Sequence, residues 1–465
     1  MSREQTLAAV ARWFDSGQFQ QELARRVAWQ TESDGGQASP LLGQYLDEEI
    51  VPALEGLGFG CEVFENPEPG GGPLLIARRI EDPALPTVLT YGHGDVVNGQ
   101  RGKWREGLDP WQLVVEGDRW YGRGSADNKG QHGINFAALA AVIAQRQGRL
   151  GYNVSVLFEM GEEAGSPGLQ AFCAQQRERL RADLLIASDG PRVQSARPTL
   201  FLGSRGLVNF TLSLRSRERA YHSGNWGGVL RNPAIVVAHA VASLTDARGR
   251  IRVPGLLPPP LTEAMRAALR EIPVGTDAGD PALDLAWGEP GLSVAEQLVG
   301  WNTLEVLAMG AGSAERPVNA IPPAATAHCQ LRFVPGTAWQ ELQSIVRAHL
   351  DAQGFEDVDL RVTAASPATR LDLGNPWVSW ALRSMSASVG KPAVLMPNLA
   401  GSLPNDVFAE TLGLPTLWVP HSYPSCGQHA PNEHLLASVA REGLQIMAGL
   451  YWDLGEPGLD WHQAS

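Results

Sequence analysis

The stretch Tyr121-Gly-Arg-Gly-Ser-Ala-Asp-Asn-Lys-Gly130 packs three glycines and one carboxylate, Asp127, into ten residues. An apolar helical pattern over residues 136–144 follows at once. Glycine permits tight turns that a Cβ would block. Such a turn before a helix fixes an acidic group near the positive helix end. What Asp127 does there depends on what the rest of the chain brings to it.

Upstream, the apolar run Pro86-Thr-Val-Leu-Thr-Tyr91 leads into Gly92-His93-Gly94-Asp95. Downstream, Val154-Ser-Val-Leu-Phe158 leads into Glu159-Met-Gly-Glu162-Glu163, and Asp183-Leu-Leu-Ile-Ala187 into Ser188-Asp189. Much later, Leu414-Pro-Thr-Leu-Trp-Val419 precedes a loop with Cys426-Gly-Gln-His429-Ala-Pro-Asn-Glu433, read as opening the final helix. Short apolar strands alternating with helices predict an α/β fold with a mostly parallel central sheet and flanking helices. Ligands of such sheets sit outside the carboxyl ends of the strands. His93, Glu162, Glu163, Asp189 and His429 therefore converge, although they are far apart in sequence.

The remaining chain sets the domain plan. Helices are expected over residues 6–57, with strands at 61–64 and 74–77 and a helix at 168–181. Past Gly203 the texture changes. Residues 207–214 and 324–334 alternate as half-exposed strands do. Helices are expected at 233–244 and 339–353, a strand at 358–362, and an irregular insertion over 253–300, rich in Pro, Gly and Asp. The reading is a catalytic domain of residues 1–204 and 374–465, with a smaller α+β domain, 205–373, inserted into it. A helix at 376–389 resumes the first domain.

The chain has 465 residues and a net charge of -13. That charge disfavours a nucleic-acid or anionic-membrane partner, since both need a basic face. No apolar run reaches membrane-spanning length, about 18 residues. The first residues lack a signal-peptide apolar segment, and the four scattered cysteines read as free thiols, so a cytoplasmic location is expected.

His93, Asp127, Glu163, Asp189 and His429 form a nitrogen-and-oxygen donor set without thiolate. It suits zinc, or cobalt or manganese. Five ligands are too many for one open tetrahedral site but fit two ions about 3.5–4 Å apart with one bridging carboxylate. Asp127, on its rigid turn, is the natural bridge. Asp95 is placed to accept a hydrogen bond from the second imidazole nitrogen of His93. Glu162, beside Glu163, is free to act as general base towards the activated water and to return the proton to the leaving amine.

The series His93-Gly-Asp95, Gly122 to Gly130, Gly161-Glu-Glu163, Asp189 and His429-Ala-Pro-Asn-Glu433 resembles the co-catalytic zinc peptidase family. That family includes carnosinase, glutamate carboxypeptidase, aminoacylase, acetylornithine deacetylase and succinyl-diaminopimelate desuccinylase. The motifs match in order over nearly the whole chain. The resemblance implies one ion on His93, Asp127 and Asp189, and a second on Asp127, Glu163 and His429. It implies a cis Asp127–Asn128 peptide, and an inserted domain that serves as lid and dimerisation surface. His222, in Tyr-His-Ser-Gly, resembles a histidine that reaches a neighbouring active site to stabilise the oxyanion. Asn319 and Arg332 resemble lid residues that hold a substrate carboxylate. Gly401 and Ser402, in Ala-Gly-Ser-Leu-Pro, resemble a pocket-lining Gly-Gly-Ser-Ile-Pro loop, with alanine in place of the first glycine.

The expected protein is a homodimeric zinc hydrolase of amide or peptide bonds, of dipeptidase or carboxypeptidase type. Its substrate would be a small peptide or N-acyl amino acid with a free carboxylate. An N-acyl-amino-acid deacylase or carbamoyl amidase would use the same site. A mononuclear zinc peptidase and a catalytically silent metal-binding homologue stay open beside these.

Overall fold

The computed structural model describes residues 2–33 and 38–461. Residues 34–37, inside the stretch read as helical, lie outside the described residues. The main sheet has eight strands: Gly60–Phe64 (β1), Leu74–Arg79 (β2), Thr87–His93 (β3), Asn153–Glu159 (β4), Leu184–Ala187 (β5), Thr199–Phe201 (β6), Val394–Met396 (β7) and Thr416–Trp418 (β8). Their order is β1-β2-β4-β3-β5-β8-β6-β7.

The inner block β4-β3-β5-β8 is parallel throughout. β6–β7 is also parallel, whereas β1–β2, β2–β4 and β8–β6 are antiparallel. The sheet is therefore mixed, with a parallel centre. β6 and β7 escaped the sequence reading because they sit in short apolar runs closed by Pro198 and Gly203 and by Pro392 and Pro397.

The inner strands are buried on both faces, as their unbroken apolar runs require. Val88 and Ile186 face one core, shared with helices Arg3–Asp15, Lys129–Gln145, Pro376–Val389 and Ala437–Leu454. Leu89 and Leu185 face the other, which contains Phe172, Phe408 and Trp418. Chain order reverses around β3, whose neighbours are β4 and β5. The loops beyond β3, β4, β5 and β8 thus open on one edge of the sheet.

A second, smaller α+β unit is built on a four-stranded antiparallel sheet ordered Thr303–Gly310, Ala324–Phe333, Gly206–Arg215, Asp359–Ser366. Burial alternates along Gly206–Arg215 and Ala324–Phe333. Helices Pro233–Leu244 and Leu342–Ala352 contribute Val237, Leu244, Val346 and Leu350 to its core.

Residues 253–300 are not wholly irregular. They contain helices Glu263–Arg270 and Val294–Gly300. Both start on side-chain caps, Thr262 and the Ser293/Glu296 capping box. Dense Pro and Gly around them mask helices this short. The final helix also begins later than expected. His434–Leu436 first pairs as a strand with Arg119–Tyr121, and the helix starts at Ala437. That pairing ties the His429 loop to the start of the glycine turn.

Trp418, at the end of β8, is fully buried. Its ring stacks on Phe201 at 6.0 Å and meets Tyr91 edge-on at 5.9 Å, and Nε1–H donates to Asn405 Oδ1 at 2.7 Å. Trp418→Ala is expected to cost about 3–5 kcal/mol. Denaturant unfolding monitored by circular dichroism would measure it.

Candidate metal centre

The glycine turn needs its glycines where the backbone closes on itself. A Cβ on Gly130 would lie 2.0 Å from the Ser125 carbonyl oxygen, and Gly124 has φ +81°. The Asp127–Asn128 peptide is cis. The turn is held from outside by Glu433. Its Oε1 accepts from the backbone N–H groups of Ala126 (3.0 Å) and Asp127 (3.1 Å). Its Oε2 accepts from Gly124 N–H (3.1 Å) and from Arg123 Nη1 (2.6 Å). Arg123 and Glu433 are each about 1% exposed. Glu433 stands within a sequence motif, but spacing alone could not pair it with groups some three hundred residues away.

Asp127 turns its two oxygens towards different partners. Oδ1 lies 3.3 Å from His93 Nε2, and Oδ2 lies 3.3 Å from His429 Nε2. His93 Nε2 is also 3.5 Å from Asp189 Oδ2, and His429 Nε2 is 2.9 Å from Glu163 Oε2. Two donor groups result, His93/Asp127/Asp189 and Asp127/Glu163/His429, each with its ligand atoms within 4.8 Å of one another. The structure brings together the five residues of the expected donor set, His93, Asp127, Glu163, Asp189 and His429, and Asp127 belongs to both groups.

The loops are locked by backbone contacts. His93 Nδ1–H donates to the Asp95 backbone carbonyl at 3.1 Å, which leaves the Nε2 lone pair free. The expected acceptor, the Asp95 carboxylate, is 3.4 Å away and is otherwise engaged. It accepts from the N–H groups of Glu162 and Glu163, both at 3.1 Å, and so shapes the turn that bears them. Gly190 N–H donates to Asp189 Oδ1 at 2.6 Å, and Gln428 Nε2 donates to Asp127 Oδ2 at 3.1 Å. His429 has φ +60°, the left-handed region.

The electrostatics of the cluster ask for added positive charge. Burial raises the pKa of Glu162 well above the ordinary carboxylate value. His93 opposes this, and the charges of Asp189, Glu163 and Asp127 reinforce it. Burial and then Asp127 push Glu163 up to about 7, and burial also raises Asp189. Asp127 moves the other way, because His429 and His93 outweigh its burial. Asp127 and then Glu163 lift His429 to about 11. Two buried donor atoms, His93 Nε2 and Asp189 Oδ2, have no hydrogen-bond partner among the described residues. Orphaned donors facing each other amid excess carboxylate fit divalent cations bound by nitrogen and oxygen.

The centre opens into a cavity of about 730 Å³. Glu162 lines it without joining either donor group. Arg332, Gly401 and Ser402 line it too. Arg332 Nη1 donates to Ser402 Oγ at 2.9 Å, and Ser402 Oγ–H donates to the Arg205 carbonyl at 2.9 Å. His222 and Asn319 are not among the lining residues. They sit side by side on the smaller unit, where the strand pair Tyr221–His222 and Ala320–Ile321 forms and Ser223 N–H donates to the Asn319 carbonyl at 2.9 Å. His222 is exposed, and its Nδ1 accepts from Gly224 N–H at 3.1 Å.

A mixed α/β fold with two donor groups sharing one aspartate defines a metal-dependent hydrolase class, and the comparisons agree. The profile "Peptidase family M20/M25/M40" matches residues 89–453, and the chain belongs to that family of hydrolases acting on peptide C–N bonds. It is 32% identical over 271 residues to the mouse (Mus musculus) Beta-Ala-His dipeptidase, covering 55% of this chain and 54% of that one. The rat (Rattus norvegicus) Beta-Ala-His dipeptidase is 26% identical over 97% of this chain and 96% of its own. A Cys-Gly metallodipeptidase of Saccharomyces cerevisiae is 27% identical, with 84% of each covered. Human carnosine dipeptidase 1 shares the fold with TM-score 0.78 at 23% identity, over 97% of this chain and 98% of that one. An M20 family metallo-carboxypeptidase from Sulfolobus solfataricus does so with TM-score 0.81 at 23% identity, over 94% and 99%.

Glu433→Gln strands the buried Arg123 charge and weakens the support of the turn. A loss of about 3–5 kcal/mol is expected from uncoupling such a pair. Urea unfolding would read it, and metal content after dialysis should fall with it.

Proposed function

We propose that the chain is a dinuclear zinc dipeptidase that cleaves small peptides bearing a free carboxylate. The sharing of Asp127 by two donor groups, beside an uncommitted Glu162, carries this reading. His93, Asp127 and Asp189 would hold one ion, and Asp127, Glu163 and His429 the other. Ions held there would supply Lewis acidity and make a water readily deprotonated near neutral pH. Glu162 takes the proton of that water and delivers it to the leaving amine nitrogen.

Among the described residues, Arg332 has hydrogen bonds only to the neutral partners Gln330 and Ser402, so its fork is free to receive a carboxylate. The relatives named Beta-Ala-His dipeptidase and Cys-Gly metallodipeptidase support a dipeptide substrate over an N-acyl one. The four cysteines are unpaired, which supports a reducing, cytoplasmic setting. Among the described residues no helix is long and apolar enough to cross a membrane.

We read the smaller unit as a lid and a dimerisation surface. Strand Thr303–Gly310 is at the edge of its sheet and leaves Val306, Leu307 and Met309 exposed at 42%, 57% and 47%. An apolar edge of this kind is a template for a second chain. His222, whose Nδ1 accepts a hydrogen bond, carries its proton on Nε2. It is therefore an outward donor suited to an oxyanion in a partner's site, with Asn319 beside it.

Two outcomes check this reading. Glu162→Gln is expected to lower kcat for dipeptides by about 10²–10⁴-fold while retaining two zinc ions per subunit by elemental analysis. Unchanged turnover sinks the mechanism, and saturation at one ion favours a mononuclear site. The double substitution Val306→Asp and Met309→Asp is expected to halve the mass found by light scattering and to lower activity with it. A monomeric wild type refutes the dimer.

A further inference from the structure

The cavity carries one carboxylate that the metal centre does not use. Five acidic residues line it, Asp127, Glu162, Glu163, Asp189 and Asp406. Four belong to the centre. Asp406 instead precedes the helical segment Val407–Thr411, which packs on helix Leu169–Gln175. Its side chain makes no capping hydrogen bond to that segment. The groups acting on it are the backbone N–H of Asp406 and Val407 and the carboxylate of Glu410, with no lysine or arginine among them. Burial, the largest influence, pushes its pKa up to about 6.

Arg332 is the matching observation from the other unit. It reaches the same cavity from strand Ala324–Phe333 and has no carboxylate partner among the described residues. Among the described residues, the cavity thus offers one cation without a carboxylate partner and, outside the metal centre, one carboxylate without a cationic partner, mounted on different units. Its volume suits a ligand of a few residues. A short peptide has the same pattern, a carboxylate at one end and an ammonium at the other.

We propose that Asp406 is a specificity-determining residue that receives an ammonium group on the amino-terminal residue of the substrate. This rests on the peptidase reading above and extends it to the acyl side of the scissile bond. The ammonium N–H groups donate to the Asp406 carboxylate in a charge-assisted hydrogen bond. A substrate without that charge leaves a partly buried carboxylate desolvated and unpaired, and such sites discriminate strongly. N-acyl amino acids are disfavoured on this ground. The α-ammonium and a lysine side-chain ammonium present the same chemistry, and the test separates them.

Full-length zinc-loaded wild type, Asp406→Asn and Asp406→Glu are assayed on L-Ala-L-Leu, N-acetyl-L-Ala-L-Leu and N-acetyl-L-Lys-L-Leu. Thermal unfolding establishes that each variant is folded. Wild type is expected to prefer L-Ala-L-Leu over its N-acetyl form. Asp406→Asn is expected to lose about ten- to a hundredfold in kcat/KM on ammonium-bearing substrates, mainly through KM. N-acetyl-L-Ala-L-Leu should be unaffected, and Asp406→Glu should recover part of the loss. A loss confined to L-Ala-L-Leu assigns the α-ammonium, and one confined to N-acetyl-L-Lys-L-Leu assigns the side chain. Equal losses on all three substrates, or none, in a folded Asp406→Asn overturn the proposal. Absence of hydrolysis of every peptide by wild type overturns the peptidase reading itself, and the proposal with it.

Discussion

The pairing of Glu433 with the glycine turn is the contact on which the geometry of the centre depends. One carboxylate gathers three backbone N–H groups and the Arg123 guanidinium in a site closed to water. Alone, a buried acid of this kind would be costly. Here every lone pair has a donor, and the turn has no freedom left to carry Asp127 elsewhere. Asp95 does the same for the Glu162–Glu163 turn. The protein uses two classes of acid side by side, one satisfied by its own backbone and one left short of positive charge.

That division accounts for what could be read from sequence. The buried strands announce themselves as unbroken apolar runs, and their ends named His93, Glu163, Asp189 and His429 in advance. Asp127 was legible because glycines flank it. The roles of Glu433 and Gln428 were not, since hydrogen bonds across three hundred residues leave no mark on local spacing. β6, β7 and the strand Thr303–Gly310 were missed for other reasons. The first two sit in short runs closed by proline or glycine, and the last is apolar on its solvent side, where alternation should show polar residues. The His93 ring lies nearer the Asp95 backbone carbonyl than its carboxylate, and the carboxylate's further role in the Glu162–Glu163 turn left no sign in the local spacing.

The two units contribute unlike things to the cavity. The main sheet supplies fixed ligands on short, hydrogen-bonded loops. The smaller unit supplies Arg332 from the paired end of a strand, where its Cα is set by register with Leu207 and Thr303 rather than by loop conformation. Its contact with Ser402 is a direct polar bridge between the units at the cavity.

The sharing of Asp127 has a thermodynamic consequence. Its two oxygens serve different donor groups through one rigid side chain. A cation held by one group would act on the same carboxylate that the other group uses. The two occupancies are then linked functions. Filling one group alters affinity at the other, and reciprocity demands the same factor in reverse.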